Sequence, residues 1–380
     1  MEIIPELDSN VTIIGAGVIG LAIAAELSRY TDRIYVIEKC GSFGQETSSR
    51  NSEIVHSGVY YPEGSLKARL CVKGKRLLYD YCHQHDIAHQ KCGKIIVSQS
   101  GDDHDAIEEI FRNSTRNGIT DKVILDRTEI QSLEPHVSAC RGIYFPSTGI
   151  IDTHGLMKTL ETEALNQGAQ IVYGSEVIQI NRLEKGYEVG LLESGNNTYA
   201  YTSQIVINSA GLMAENIARL AGIERPEYRI YLWKGEYFSL LNGKHKLLSR
   251  LVYPVPEPHH VGLGIHTTLD LSGRVKLGPN AIFMPDNQID YSIDPEHRMD
   301  FFRSVHGYLP FVEPEDLAPD QVGIRPKLQK PGDPVRDFII SEESHLGYPG
   351  FVNLLGIESP GLTACLSLAQ YVRTLIQVYL

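Results

Sequence analysis

The sequence predicts an α/β protein in which a Rossmann-like dinucleotide-binding domain is interleaved along the chain with a mostly antiparallel-sheet domain. Three observations carry that expectation. A strand, glycine turn, helix and strand follow one another over residues 11–38, a second strand-to-helix turn lies near the C-terminus, and strand and hairpin signals cluster over about residues 226–317. At 380 residues, 42% hydrophobic and 22% charged, the chain is too long for one small core and too apolar for disorder, so two domains are expected.

Residues 11–14 (VTII) read as a buried strand, 15–20 as a tight turn, and 21–30 as a helix in which Ala22, Ala24 and Ala25 permit close packing. Residues 33–38 (RIYVIE) form a second strand. The apolar stretch 11–27 approaches a membrane span in length, yet falls short of the ~18 residues one needs and is broken by Gly15, Gly17 and Gly20. Those glycines make a GxGxxG turn, where the backbone can approach a pyrophosphate and the helix N-terminus supplies N–H groups and a positive dipole end. Glu38 stands where it can accept hydrogen bonds from a ribose hydroxyl pair, and its charge disfavours the 2′-phosphate of NADP. This unit alone does not separate NAD from FAD.

Residues 47–52 are rich in hydroxyls and amides, suited to a diphosphate. Residues 54–60 alternate as a strand, which would put His56, Gly58 and Tyr60 on one face. Ser65 then caps a helix with Lys67 in its first turn and Leu66, Leu70, Leu77, Leu78 and Tyr81 at helical spacing. Residues 153–168 read as a helix, 170–180 as a strand, 204–209 as a strand and 214–221 as a helix. Strands are expected at 228–233, 235–241, 261–267 and 274–277, with a turn at Ser272-Gly273, and an exposed loop and helix at 286–305. Near the C-terminus, 351–357 reads as a buried strand, Ser359 as an N-cap, Pro360 as the first helical residue, and 372–380 as part of a packed final helix. The expected nucleotide domain therefore comprises 1–85, 145–225 and 318–380, and the substrate domain 86–144 and 226–317.

The formal charge, 35 − 47 = −12, offers no basic face for nucleic acid. Six cysteines lie scattered without a CxxC pair and the N-terminus lacks signal-peptide blocks, which points to a reducing, cytoplasmic location with membrane association at most peripheral. Cys82, His83, His85, His89 and Cys92 crowd together but match no ordinary zinc spacing, so no metal is expected.

From Thr47, Ser48, Asn51 and Ser52 through His56-Ser-Gly58, Tyr60, Tyr61, Ser65-Leu-Lys-Ala68 and Cys71, the sequence resembles the L-2-hydroxyglutarate dehydrogenases and oxidases. These are FAD-dependent members of the D-amino acid oxidase superfamily. The resemblance continues through Gly93-Lys94, residues 149–152, Asn208 to Leu212, Gly235-Glu236-Tyr237, Gly264-Ile-His266, Gly278 to Ala281, Gly323-Ile-Arg325 and Gly356 to Thr363. It implies FAD as cofactor, held by Gly15, Gly17, Gly20, Glu38, Lys39, Thr47, Ser48, Asn51, Ser52, Val177, Ala210, Gly211, Arg325, Gly361, Leu362 and Thr363. In the superfamily the helix beginning near Pro360 faces the flavin pyrimidine, where its dipole stabilises the reduced ring.

The implied reaction oxidises a small 2-hydroxy acid to the 2-oxo acid, with a hydride passing to flavin N5 and oxygen or a quinone as final electron acceptor. Such chemistry needs a base, cations for the carboxylate and cover from water. His56 and His266 are the candidate bases, Arg325 and Lys67 the candidate carboxylate holders, and Tyr60, Tyr61 and Tyr237 candidates to close the pocket. Glu53 would repel a second substrate carboxylate unless Arg50 neutralises it. The alternatives are an amine or amino-acid oxidase resembling glycine oxidase, a glycerol-3-phosphate dehydrogenase, or a flavin-binding subunit without catalysis of its own.

Overall fold

The computed structural model describes residues 7–100, 104–256 and 264–380. Its contacts divide the chain into two units, each assembled from separated segments. The first comprises residues 1–49, 153–231 and 326–380, the second 50–152 and 232–325. Residues 50–85, 145–152 and 318–325 thus group with the second unit and 226–231 with the first, the reverse of the sequence expectation. Local pairing explains the first two. Ile54–Val55 and His89–Gln90 both pair antiparallel with Gly149–Ile151, and the Leu66–Gln84 helix is tied to the turn before that strand by Tyr79 Oη donating to the Ser147 carbonyl (2.9 Å).

An eight-stranded sheet organises the first unit. Ser9–Ile14 lies at its centre, parallel to Ile34–Ile37 on one side and to the end of Thr198–Asn208 on the other, with Val11 opposite both Ile34 and Ile205. Gln170–Val172 extends the parallel part beyond Ile34–Ile37, and Phe351–Leu355 adds parallel to Thr198–Asn208. The first half of Thr198–Asn208 instead pairs antiparallel with Tyr187–Glu193, which pairs with Ser175–Arg182. Residues 170–180 are therefore two strands rather than one, separated where Gly174 takes φ +67° and the chain changes direction.

The apolar opening is buried by the protein itself: all of Val18–Leu27 except Ile19 is buried. That helix packs against Thr153–Asn166 and Gly361–Ile376, with Leu21, Ile23 and Leu27 at 0% exposure, each worth about 1.5–3 kcal/mol of burial. No helix among the described residues is long and apolar enough to cross a membrane. The final helix ends at Ile376 with Val372 and Ile376 buried, and the residues after it turn outward, Val378 at 84% exposure.

Three sheets build the second unit. Tyr231–Leu240, a single strand where two were expected, pairs antiparallel with Val275–Leu277 and Ile282–Met284, and also pairs with Leu317–Lys327. Thr267–Leu269 pairs antiparallel with Val275–Leu277; part of the strand expected at 261–267 lies outside the described residues. A four-stranded sheet joins Leu251–Pro254, Lys94–Ser98, Arg141–Phe145 and Val123–Asp126, with Leu251 and Lys94 in parallel register. The segment 286–305 carries the expected helix, but one face of that helix is buried rather than exposed. The helix, Arg298–His306, drives Phe301 and Val305 to 0% exposure, and Phe301 meets Phe238 with ring centroids 4.6 Å apart.

Candidate active site

In the first unit the glycine turn is shaped by contacts that leave no room for side chains. Gly15 has φ +101°, and a Cβ on Gly20 would fall 1.9 Å from the Gly15 carbonyl, so the helix can sit directly on the turn only with glycine there. Ser48 Oγ accepts from Val18 N–H (3.0 Å), and a Cβ on Gly17 would lie 3.0 Å from that hydroxyl. Glu38 is fixed by both oxygens, Oε2 accepting from Ala16 N–H and Oε1 from Cys40 N–H, each at 2.8 Å. A carboxylate held by one bond per oxygen keeps lone pairs for ribose hydroxyls. The helix start has neither a capping side chain nor an acidic residue in its first turn, which suits an anion.

The other proposed flavin holders are distributed as follows. Lys39 pairs with Glu46 at 2.8 Å, and Thr47 and Ser48 lie in a short 3-10 turn. Val177 is buried on Ser175–Arg182 at a register irregularity. Ala210 and Gly211 follow Asn208, whose amide donates to Asn353 Oδ1 (2.8 Å) and to the Ala214 carbonyl (2.7 Å). Asn353 in turn donates to Glu343 (2.9 Å), which also accepts from Tyr228 Oη (2.8 Å), so a buried polar chain locks the ends of the two strands together. The last helix starts at Gly361, with Pro360 as its N-cap rather than its first residue, and again no side-chain cap. Gly361, Leu362 and Thr363 all lie in that uncapped first turn. Asn51 and Ser52 belong to the second unit, where Ser52 Oγ shares a 2.7 Å hydrogen bond with Tyr237 Oη.

The second unit gathers the candidate catalytic groups. Only Ile54–Val55 forms a strand, because Glu53 and Gly58 take φ of +56° and +90°; His56 therefore sits in a loop instead of the expected strand. His266, 6% exposed, stacks on Tyr253 with ring centroids 3.8 Å apart and 23° between planes. Its Nδ1 lies 2.8 Å from the Gly264 carbonyl, an acceptor, which makes Nδ1 the protonated nitrogen and leaves the lone pair on Nε2.

Burial, with Lys94 and His266 adding to it, pushes His56 down to about 3. Burial likewise pushes His266 down to about 3, the Gly264 carbonyl opposing and Lys94 and Arg325 assisting. Both imidazoles are therefore neutral at rest. The folded pKa lies below the ordinary 6.5, so the unfolded chain takes up protons that the folded chain refuses as pH falls. The stability these histidines lend is full above about 6.5 and disappears towards about 3. His266→Gln, which cannot titrate, is expected to flatten the fall in Tm between about pH 6.5 and 4.5; parallel curves for variant and wild type would contradict the assignment.

Arg325 lies on the strand Leu317–Lys327 and makes no ion pair among the described residues. Its guanidinium donates to the Asn280 carbonyl at 2.5 Å. Asn280 is pinned by Glu236: its amide donates to Glu236 Oε2 (2.9 Å) and its Oδ1 accepts from Glu236 N–H (2.8 Å). Glu236, 1% exposed, also meets His297 Nδ1 at 2.6 Å, so the loop before Arg298–His306 braces this support. A Cβ on Gly235 would come within 2.7 Å of Arg325 Nη2 and 2.9 Å of Pro279 Cβ. Gly235→Ala is thus expected to displace the guanidinium, costing about 1–3 kcal/mol of stability and raising KM about tenfold. Steady-state kinetics beside a melting curve checks both parts.

Lys94 is the group the sequence reading passed over as a site residue. It is 1% exposed and acts on both histidines; Lys67 is also buried, in the first turn of its helix. Tyr60, Tyr61 and Tyr237 act electrostatically on Tyr253, so the tyrosines cluster. The Tyr61 carbonyl accepts from the amides of Asn113 and Asn117 (3.0 and 2.9 Å), which secures the loop. Arg50 does not neutralise Glu53; its guanidinium lies 4.1 Å over the Tyr291 ring. Among the described residues no three His, Cys, Asp or Glu side chains converge as metal ligands.

The chain is 35% identical to a mitochondrial L-2-hydroxyglutarate dehydrogenase of Arabidopsis thaliana, over 96% of this chain and 82% of that protein. It is 27% identical to the L-2-hydroxyglutarate dehydrogenase of Escherichia coli K12, over 97% and 93%. Among solved structures, an L-alpha-glycerophosphate oxidase from Mycoplasma pneumoniae with FAD bound superposes with a TM-score of 0.86 at 27% identity, covering 97% of this chain and 94% of that one. A glycine oxidase from Geobacillus kaustophilus shares the fold, with a TM-score of 0.78 at 20% identity over 98% and 95%. Residues 10–375 match the family model described as DAO, FAD dependent oxidoreductase, and the chain belongs to that family, with FAD as its cofactor.

Proposed function

We propose that the protein oxidises L-2-hydroxyglutarate to 2-oxoglutarate. The observation that carries this reading is the pairing of two neutral imidazoles with an arginine whose charge is not spent on any carboxylate of the described residues. FAD, when bound, supplies the acceptor for the C2 hydride. Arg325 would hold the C1 carboxylate with its planar fork, kept in place by Asn280 and Glu236. The C2 hydroxyl would then give its proton to the histidine pair, with Nε2 of His266 as an acceptor already in the right tautomer. Loss of one hydride and one proton leaves the C2 carbonyl, which balances the reaction.

Resting values near 3 make weak bases, and the substrate corrects this. Burial is the main cause, but the substrate's carboxylates would cancel part of the positive field that adds to it, from Lys94 at both imidazoles and from Arg325 at His266, so basicity would rise when substrate is present. The names of the relatives support the substrate, and the structural likeness to the glycerophosphate oxidase supports a hydroxyl donor. A cytoplasmic location and oxygen or a quinone as acceptor remain part of the proposal.

Anaerobic mixing with L-2-hydroxyglutarate, lactate, malate, glycerol 3-phosphate and glycine tests the reading. L-2-hydroxyglutarate is expected to bleach the flavin fastest. Bleaching by glycine alone, or by glycerol 3-phosphate alone, would move the protein to another substrate class.

A further inference from the structure

Lys94 opens the strand Lys94–Ser98 and is 1% exposed, yet no ion pair or hydrogen bond engages its Nζ among the described residues. Three rings surround it instead: Tyr60 and Tyr253 with centroids 4.9 Å from Nζ, and Phe145 at 5.6 Å. Ring faces recover only part of the hydration an ammonium loses on burial. The hydroxyls of Tyr60 and Tyr253 are also buried and lack any hydrogen-bond partner. A cation with three donors and two phenol donors, all enclosed and all unsatisfied, form a site whose complement is an anion with more than one acceptor oxygen.

We propose that Lys94, with the hydroxyls of Tyr60 and Tyr253, binds the carboxylate of the substrate remote from the reacting carbon, and so selects dicarboxylic over monocarboxylic 2-hydroxy acids. This rests on the functional reading above and assigns the second anchor that reading leaves open. The arrangement orders the substrate. Lys94 acts on both His56 and His266, and Arg325 acts on His266, so each cation is near the histidines but they are separate charges. A diacid spanning them would bring its hydroxyl-bearing carbon to the imidazoles. Burial lowers Lys94 to about 7, so an arriving carboxylate would also restore its full charge. Phe145, at 0% exposure, walls the site against water, which strengthens the contact.

The test compares kcat/KM for anaerobic flavin reduction by L-2-hydroxyglutarate and by L-2-hydroxyvalerate, which has the same five-carbon chain but no second carboxylate. The quantity read is the ratio between the two acids, because any effect of Lys94 on histidine basicity enters both and cancels. In Lys94→Met the ratio is expected to fall about 100-fold. In Tyr60→Phe and Tyr253→Phe, which keep the rings and remove only hydroxyls, it should fall about tenfold. FAD content and Tm confirm that each variant is folded, and the phenylalanine variants carry the test if Lys94→Met is not. A ratio within about threefold of wild type in the folded variants overturns the assignment, as does a wild type that treats the two acids alike. If neither acid reduces the wild-type flavin, the functional reading is overturned and this inference with it.

Discussion

His56→Ala and His266→Ala are each expected to slow flavin reduction by L-2-hydroxyglutarate by about 10²- to 10⁴-fold while FAD stays bound. The argument runs from proton inventory. The hydroxyl proton must leave as the C2 hydride departs, and the two imidazoles are the neutral nitrogen acceptors the second unit places among its cations. Because they would act on one proton as a unit, the double variant should be little slower than the slower single one. Rapid-mixing spectra of the flavin check this. Reduction at the wild-type rate in either single variant would make that histidine structural. The pH dependence has a definite sign: only the neutral imidazole accepts a proton, so the rate at saturating substrate should climb with pH and level off, with its midpoint above the resting value of about 3.

Arg325→Met should lower kcat/KM by about 10²- to 10³-fold, chiefly through KM. Methionine keeps much of the packing volume and deletes the fork, so the loss reports charge and hydrogen bonding. Arg325 has no ion pair among the described residues to lose, and its removal therefore leaves no unpaired carboxylate behind. Folding stability should change little, whereas substrate binding should change greatly. Arg325→Lys is expected to recover only a fraction, since an ammonium retains the charge without the planar geometry. Full recovery by lysine would show that position 325 contributes field alone.

Much of this was legible in sequence where local rules suffice. The strand, glycine turn and helix of residues 9–27 declare themselves through apolar continuity and steric need, and Ser65 caps its helix as read, accepting from Ala68 N–H at 3.1 Å. Period-two alternation over 170–180 could not reveal a direction change at Gly174, and alternation around His56 could not reveal that Ile54–Val55, just before it, pairs with a strand three residues long. Lys94 escaped notice for a different reason. At the head of an apolar run, KIIVS, a lysine reads as the solvated end of a strand, and only tertiary packing encloses it. Glu236 and Asn280 were similarly invisible as supports for Arg325, because their spacing along the chain carries no periodic signal.

The packing of Val18–Leu27 between Thr153–Asn166 and Gly361–Ile376 also sets a timetable for biosynthesis. Val18–Leu27 is made about 340 residues ahead of Gly361–Ile376, one of its two covering helices. At about 5–20 residues per second the interval is roughly 20 to 70 seconds. Throughout it the nascent chain carries an uncovered greasy surface, so a cell making this protein must shield Val18–Leu27 until Gly361–Ile376 arrives.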